Sequence, residues 1–214
     1  MNSIAGYYNN KEQYSPSGER VRRVVQILGN DIKGKKILDI GCGNGTMGKA
    51  LKEKGAIVFG TDISRNAVEK AAHVLDKAFV LDVDGGDLSV IDSDYDAIIV
   101  SEVIEHLFES KKFLLNVKSR MKKDSVLILT TPNFLMWTNR IKMFFGKFEY
   151  TETGFLDEGH IHFFTYDSLK KLLSLTGFKI EKENHIIHPK IPHKIGILRP
   201  NLFAFQLIIK VKTA

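Results

Sequence analysis

Cysteine occurs once in the 214 residues, which excludes an intramolecular disulfide framework. The first residues lack the charged, apolar and small-residue succession of a signal peptide. No uninterrupted apolar run approaches the roughly 18 to 20 residues that crossing a bilayer requires. A cytoplasmic location is the expectation, with any membrane contact peripheral and at the inner face. Charge of one sign is also scarce, since 31 Lys and Arg against 25 Asp and Glu leave a net +6. Such an excess is compatible with phosphate, RNA or an anionic membrane surface but demands none of them. Internal repeats and low-complexity segments are absent as well. What is present, 43% hydrophobic and 26% charged positions, is ordinary globular composition at a length that suits one well-buried domain, 1–214.

Short β-rich runs alternate with amphipathic stretches. KKILDI (35–40), AIVFGTDI (56–63), AFVLDV (78–83), YDAIIVS (95–101) and SVLILTT (125–131) predict strands. Between them GTMGKALKEKG, SRNAVEKAAHVLDK and KKFLLNVKSRMKK carry apolar residues at three- and four-residue spacing and predict helices. GERVRRVVQIL (18–28) predicts a leading helix, and residues 167–184 a last helix and strand. Continuous apolar strands joined by helices imply an α/β fold, with a mostly parallel sheet covered on both faces. The tail LFAFQLIIKVK (202–212) is expected to add an antiparallel strand at the sheet's edge.

Residues 37–45, ILDIGCGNG, run from a strand straight into three glycines spaced by single residues. In an open α/β sheet, ligands bind beyond the carboxyl ends of the strands where the strand order reverses. Glycines there let a ligand approach the backbone, and the following helix's first N–H groups favour negative charge. A nucleotide-containing cofactor is expected. A nucleoside triphosphate is disfavoured, because no GxxxxGK[ST] supplies its lysine and hydroxyl. Gly43, Gly45 and Gly48 formally spell the dinucleotide pattern GxGxxG, but the first of them lies three residues past the strand. S-adenosylmethionine (SAM) instead needs acceptors for an ammonium, a ribose diol and an adenine amino group. Asp39, Asp62 and Asp82, at the ends of the first three strands, would supply them from one edge.

Together LDIGCGNG, GTDIS, LDVD and SEVIEHL resemble the class I SAM-dependent methyltransferases over most of residues 35–184. The resemblance implies a Rossmann-like, doubly wound, seven-stranded sheet with one reversed edge strand. It divides the chain into an N-terminal cap and helix (1–34), a SAM-binding core (35–131), a lid or substrate insertion (132–160) and C-terminal helix and strands (161–214). It implies that Gly41, Gly43 and Gly45 line SAM, that Asp39 lies near its amino-acid end and that Asp62 binds the ribose hydroxyls. Asp82 and Val83 would flank the adenine, and Cys42, Ile63 and Ser101 complete the expected cofactor-binding set. SAM already carries an activated methyl group, so Cys42 is expected to pack in the loop and not to act as a nucleophile.

If the chain turns helical in SEVIEHL, then Glu102, Glu105 and His106 share one face. Two carboxylates and an imidazole make half of a divalent-metal site. In DEGHIHFFT, an extended backbone would send His160 and His162 to opposite sides, so one of them can face the same edge. This combination resembles small-RNA 3′-terminal 2′-O-methyltransferases and the O-methyltransferases of ubiquinone biosynthesis. The former resemblance implies Mg2+ or Mn2+ on Glu102, Glu105, His106 and His160, gripping adjacent substrate hydroxyls. The alternative, present in metal-free relatives, leaves the glutamates as helix caps and a histidine as general base. Glu105, His106 and His160 are the expected catalytic residues. His73, His185, His188 and His193 are expected at the surface or in packing.

Residues 132–160 are too long for an ordinary connection and are expected to form a lid over the acceptor. Phe134, Trp137, Ile141, Phe144 and Phe145 would share an apolar helical face bordered by Arg140, Lys142 and Lys147. That face is expected to pack on the sheet, the alternative being a membrane surface or a lipid-linked acceptor. Residues 7–20 are expected to add a second cover, with Tyr7, Tyr8 or Tyr14 touching ligand. The longer shape NRIKMFFGKFEY…GFLDEGHIHFFTYDSLKKLLSLTGF also resembles methyltransferases associated with surface-glycan synthesis. The expected function is methyl transfer from SAM to a hydroxyl of a small-molecule, lipid-linked or sugar acceptor. The alternatives are RNA 3′-terminal 2′-O-methylation, disfavoured because no dedicated nucleic-acid module accompanies the domain, and a non-catalytic SAM-binding regulator.

Overall fold

A computed structural model describes residues 4–10, 15–85, 88–151 and 154–214. In chain order the elements are α1 (Ile4–Asn10), α2 (Gly18–Leu28), β1 (Lys36–Ile40), α3 (Thr46–Lys52), β2 (Ile57–Asp62), α4 (Arg65–Ala71), β3 (Lys77–Val80) and β4 (Ala97–Ser101). There follow α5 (Ser110–Ser119), β5 (Val126–Pro132), α6 (Trp137–Phe144), α7 (Tyr166–Leu175), β6 (Phe178–Glu183), β7 (Ile186–Ile187), α8 (His193–Gly196), α9 (Pro200–Phe203) and β8 (Ala204–Thr213). The strands order as β3-β2-β1-β4-β5-β8-β6, with the two-residue β7 also paired to β8. All pairs from β3 to β5 are parallel, and β8 runs antiparallel to β5, β6 and β7. The fold is thus the expected mostly parallel α/β sheet with antiparallel pairing at one margin. The reversed strand β8 lies one place inside that margin, with β6 outside it.

The central strands explain this stability of order. Residues 37–40 of β1 and 97–100 of β4 are all buried, as befits strands covered on both faces. One core cluster packs Leu38, Ile40, Ile98, Val100 and Leu127 with Phe113 and Leu114 of α5 and Leu169 and Leu173 of α7. The opposite cluster packs Ile37, Val58, Ile99, Ile128 and Ile208 with Val24 and Ile27 of α2 and Leu51 of α3. Helix starts have identifiable causes. Ser17 caps α2, Ser64 caps α4, and Thr165 with Ser168 forms a reciprocal capping box on α7.

Three sequence expectations are corrected. The third strand ends at Val80, not Val83, because Leu81 N–H returns to the Asp62 carbonyl and the chain then turns, with Asp82 Oδ1 accepting from Asp84 N–H. SEVIEHL is not a helix: Glu102 sits at φ 57°, a left-handed backbone that stops helical propagation, and only a single 3-10 turn forms at Ile104–His106. The apolar face of 137–145 does not pack on the sheet, since α6 has no buried residue and Phe144 and Phe145 are 85% and 70% exposed. Among the described residues no helix is long and apolar enough to cross a membrane.

Candidate active site

The loop after β1 is shaped by its own backbone. Gly41 and Cys42 N–H both donate to the Thr61 carbonyl, at 2.7 and 3.0 Å, tying the loop to the end of β2. Gly41 lies at φ 74°, and a Cβ there would come within 2.3 Å of Val103 Cγ2, so both conformation and space demand glycine. Asp62 fastens the second side: its Oδ2 accepts from Gly43 N–H at 2.9 Å and its Oδ1 from Ser64 N–H at 2.9 Å. Cys42 is buried against Gly60, with its thiol pushed up by burial, and Gly45 caps α3 with a left-handed backbone. These two shape the loop from behind.

A cavity of about 620 Å³ opens at this edge. Gly41, Gly43, Asp62, Ile63, Asp82, Val83 and Ser101 all line it; Asp39, Cys42 and Gly45 do not. Asp39 is buried within β1, and its Oδ2 has no hydrogen-bond partner. Loss of solvent, with the neighbouring Asp62 charge, raises its pKa to about 7.

Further along the edge, Glu105, His106 and His160 come together, with one potential ligand atom from each lying within 4.8 Å of the others. His106 Nδ1 is 2.8 Å from the Gly159 carbonyl, and His160 Nδ1 is 3.1 Å from the Phe155 carbonyl. A carbonyl only accepts, so each neutral ring carries its proton on Nδ1 and its basic lone pair on Nε2. Glu105 is buried; Oε2 accepts from the Thr131 hydroxyl at 3.1 Å and Oε1 has no hydrogen-bond partner. Desolvation, then the Glu102 charge, holds its pKa well above the usual carboxylate range. His162 is directed elsewhere, its Nε2 3.3 Å from the Phe108 carbonyl.

Glu102 does not join this group. Its Oε1 accepts from the Thr130 hydroxyl at 2.9 Å, and its Oε2 lies 3.4 Å from an Arg20 guanidinium nitrogen. Arg20 is a cavity-lining residue that reading the sequence did not single out. It is buried, with Nε donating to Gln206 Oε1 at 2.9 Å. A signal for it existed, because Arg20 shares the apolar face of α2 with Val24 and Ile27, and a cation on a buried face needs a partner or a ligand. Phe155, Phe205 and Gln206 also line the cavity, the two rings packing edge to face at 4.7 Å.

The N-terminal cover is partly realised. Asn9 accepts from the Ser64 hydroxyl at 3.0 Å and its carbonyl accepts from Asn66 Nδ2 at 3.0 Å, fixing α1 on the start of α4. Tyr8 thereby reaches the cavity, its hydroxyl 3.0 Å from His106 Nδ1. Tyr14 lies outside the described residues. Of the 132–160 insertion, Pro132, Gly154, Phe155, Asp157 and His160 line the cavity and α6 does not.

A sheet of this order, with a glycine loop after β1 and an acid closing β2, has the architecture of a class I SAM-dependent methyltransferase. A family described as a methyltransferase domain matches residues 10–183, and the chain belongs to it. Among curated proteins, the chain is 29% identical over 118 residues to a ubiquinone biosynthesis O-methyltransferase of Haemophilus ducreyi, covering 51% of this chain and 50% of that one. The mitochondrial counterpart in Bos taurus is 34% identical over 113 residues, 49% of this chain and 30% of that one. The chain thus spans half or less of the length of these relatives. Magnesium protoporphyrin IX methyltransferase of Synechocystis PCC 6803, solved with bound SAH, superposes with a TM-score of 0.69 at 18% identity, covering 99% and 98% of the two chains. A SAM-dependent methyltransferase from Archaeoglobus fulgidus gives 0.66 at 21% identity, covering 91% and 93%. At such identities these structures speak for the fold alone.

Proposed function

We propose that this protein transfers the methyl group of SAM to a hydroxyl oxygen of a small molecule. The observation that carries the reading is the meeting of Glu105, His106 and His160, with His106 and His160 lining the same cavity as Gly41, Gly43 and Asp62. The partial likeness to ubiquinone biosynthesis O-methyltransferases supports oxygen as the methylated atom.

On the cofactor side, Asp62 would accept from the ribose hydroxyls, Asp82 and Val83 would flank the adenine, and buried Asp39 would favour the cofactor's ammonium. Arg20, a buried cation beside the same cavity, would meet the cofactor's carboxylate. SAM supplies a methyl group on a positively charged sulfur. The acceptor oxygen forms the new bond to that carbon, the carbon–sulfur bond breaks, and its electron pair neutralises the sulfur. The hydroxyl proton must leave, and His106 Nε2 or His160 Nε2 takes it, each ring being held for that role by its Nδ1–H bond to a backbone carbonyl. Aligning oxygen, carbon and sulfur in the cavity is a large part of the rate enhancement.

The trio also fits a divalent cation. Two imidazoles, each with its Nδ1 at a backbone carbonyl, and a buried carboxylate, one of whose oxygens has no hydrogen-bond partner, form a reasonable donor set. Glu105, His106 and His160 would hold Mg2+ or Mn2+; Glu102 is engaged with Arg20 and Thr130. Bound there, the cation would lower the pKa of an acceptor hydroxyl and favour adjacent hydroxyl pairs, as in catechols and vicinal diols.

The test is methyl transfer from radiolabelled SAM to a panel of catechols, vicinal sugar diols and isolated alcohols, with Mg2+, Mn2+ or chelator. Label on oxygen of any acceptor, lost in His160→Ala, supports the reading. Label only on nitrogen or carbon acceptors would sink it. Calorimetry of each metal into the protein saturated with S-adenosylhomocysteine (SAH), repeated with Glu105→Ala, decides the metal separately.

A further inference from the structure

The chain's formal charge of +6 is not spread over its surface. Residues 133–148 and 184–203 hold six of the 31 Lys and Arg and none of the 25 Asp and Glu. The rest of the chain therefore balances at 25 of each. All six cations, Arg140, Lys142, Lys147, Lys190, Lys194 and Arg199, are exposed.

The same two segments carry the most exposed large apolar side chains of this end of the molecule. On and beside α6, Ile141, Phe144 and Phe145 are 48%, 85% and 70% exposed; around α8, Ile195, Ile197 and Leu198 are 52%, 50% and 79% exposed. The segments are neighbours. One leaves the end of β5 and the other enters β8, and Pro132 is paired with Gln206 across those strands. Trp137 packs on His188 with ring centroids 5.5 Å apart, and Arg140 donates to the Asn201 carbonyl at 3.5 Å. Both Pro132 and Gln206 also line the cavity, so this surface adjoins its mouth.

Aromatic and aliphatic side chains standing in water, accompanied by six cations in segments that hold no acid, with Asp167 bonded to Asn201 at the border, have the pattern of a surface that lies in a lipid headgroup layer. A contact with another protein copy would bring six like charges against six. An anionic bilayer complements both features, taking the apolar tips into the acyl boundary and the cations among the phosphates. We propose that residues 133–148 and 184–203 form a peripheral docking surface for an anionic membrane, setting the cavity mouth at the lipid surface.

The test is co-sedimentation of the full chain with large vesicles of phosphatidylcholine alone, or of phosphatidylcholine with phosphatidylglycerol, at low and high salt. Binding is expected only to the anionic vesicles and weakened by salt. The double substitutions Phe144→Ser with Phe145→Ser, and Lys142→Glu with Lys194→Glu, should each lower partitioning about tenfold or more. All four positions are exposed, and an unchanged thermal midpoint confirms that each variant folds. Absent binding to anionic vesicles, equal binding to neutral ones, or partitioning unmoved by both variants would overturn the proposal. So would ultracentrifugation showing a lipid-free dimer that the phenylalanine variant dissociates, or tighter binding to an RNA oligonucleotide than to vesicles that only the lysine variant weakens.

Discussion

The two halves of the sheet's ligand edge are built differently. On the β1–β2 side, Gly41, Cys42 and Gly43 are tied to Thr61 and Asp62 by bonds between two adjacent strands. On the β4–β5 side, the trio of Glu105, His106 and His160 is assembled from segments more than fifty residues apart, and its neighbours Tyr8, Arg20 and Gln206 come from both ends of the chain. The first half is a local solution that any chain of this fold can repeat. The second depends on particular long-range contacts, and it is where one member of a superfold departs from another. Cofactor affinity and turnover should therefore respond to different substitutions.

The sharpest way to break that separation is at the trio. His160→Ala should cut turnover on a responsive acceptor by about 100-fold or more, the range for loss of a positioned proton-transfer group, and Glu105→Ala, which removes the carboxylate beside the two rings, should lower it in the same direction. SAH affinity, measured by calorimetry, should stay within about threefold, because neither side chain serves the cofactor half. A parallel collapse of both quantities would show that the halves are coupled.

Asp62→Ala is the reverse experiment. It removes the carboxylate that organises Gly43 N–H and Ser64 N–H, so SAH should bind about 10- to 100-fold more weakly, the equivalent of one or two charge-assisted hydrogen bonds. If the trio holds a metal as proposed, that binding should persist in the same variant.

A smaller effect is a pH dependence placed on the cofactor side by Asp39. Its carboxyl titrates near pH 7 in the folded protein, against an ordinary value of 3.8. The folded state therefore holds a proton that the unfolded state has released, and stability of the ligand-free protein declines as pH rises from about 4 to 7 and levels off above it. Glu105, shifted in the same direction by burial, adds to the decline. If Asp39 serves the cofactor's ammonium as proposed, binding favours its ionised form, and SAH affinity should rise about tenfold between pH 6 and 8. Asp39→Asn should flatten that rise, as read by calorimetry at both pH values.

Legibility from sequence follows the same division. LDIGCGNG and GTDIS were readable because strand, turn and acid are contiguous and their roles follow from backbone geometry. His106 and His160 were readable as chemistry, yet the expected mechanism of their meeting was wrong. No helix face gathers Glu102, Glu105 and His106; a left-handed Glu102 and a 3-10 turn bring Glu105 and His106 to His160 and send Glu102 to Arg20. Backbone strain at one glutamate leaves no mark in residue type. The pattern carries the third strand three residues too far, since Leu81 and Val83 continue the apolar alternation after the pairing with β2 has ended at Val80.

The exposed face of α6 is the case where pattern and structure diverge most, and it yields the smallest predicted effect. Spacing of Trp137, Ile141, Phe144 and Phe145 describes an apolar stripe, and an apolar stripe on a helix ordinarily means a buried face. A buried Phe truncated to a small side chain costs about 3–5 kcal/mol. Phe144 and Phe145 are mostly exposed, so Phe144→Ser with Phe145→Ser should change unfolding free energy in aqueous denaturant by no more than about 0.5 kcal/mol. SAH affinity should also be unmoved, because α6 contributes nothing to the cavity wall. A loss of several kcal/mol would mean that the stripe packs against protein after all, and would return these residues to the core that their spacing alone suggests.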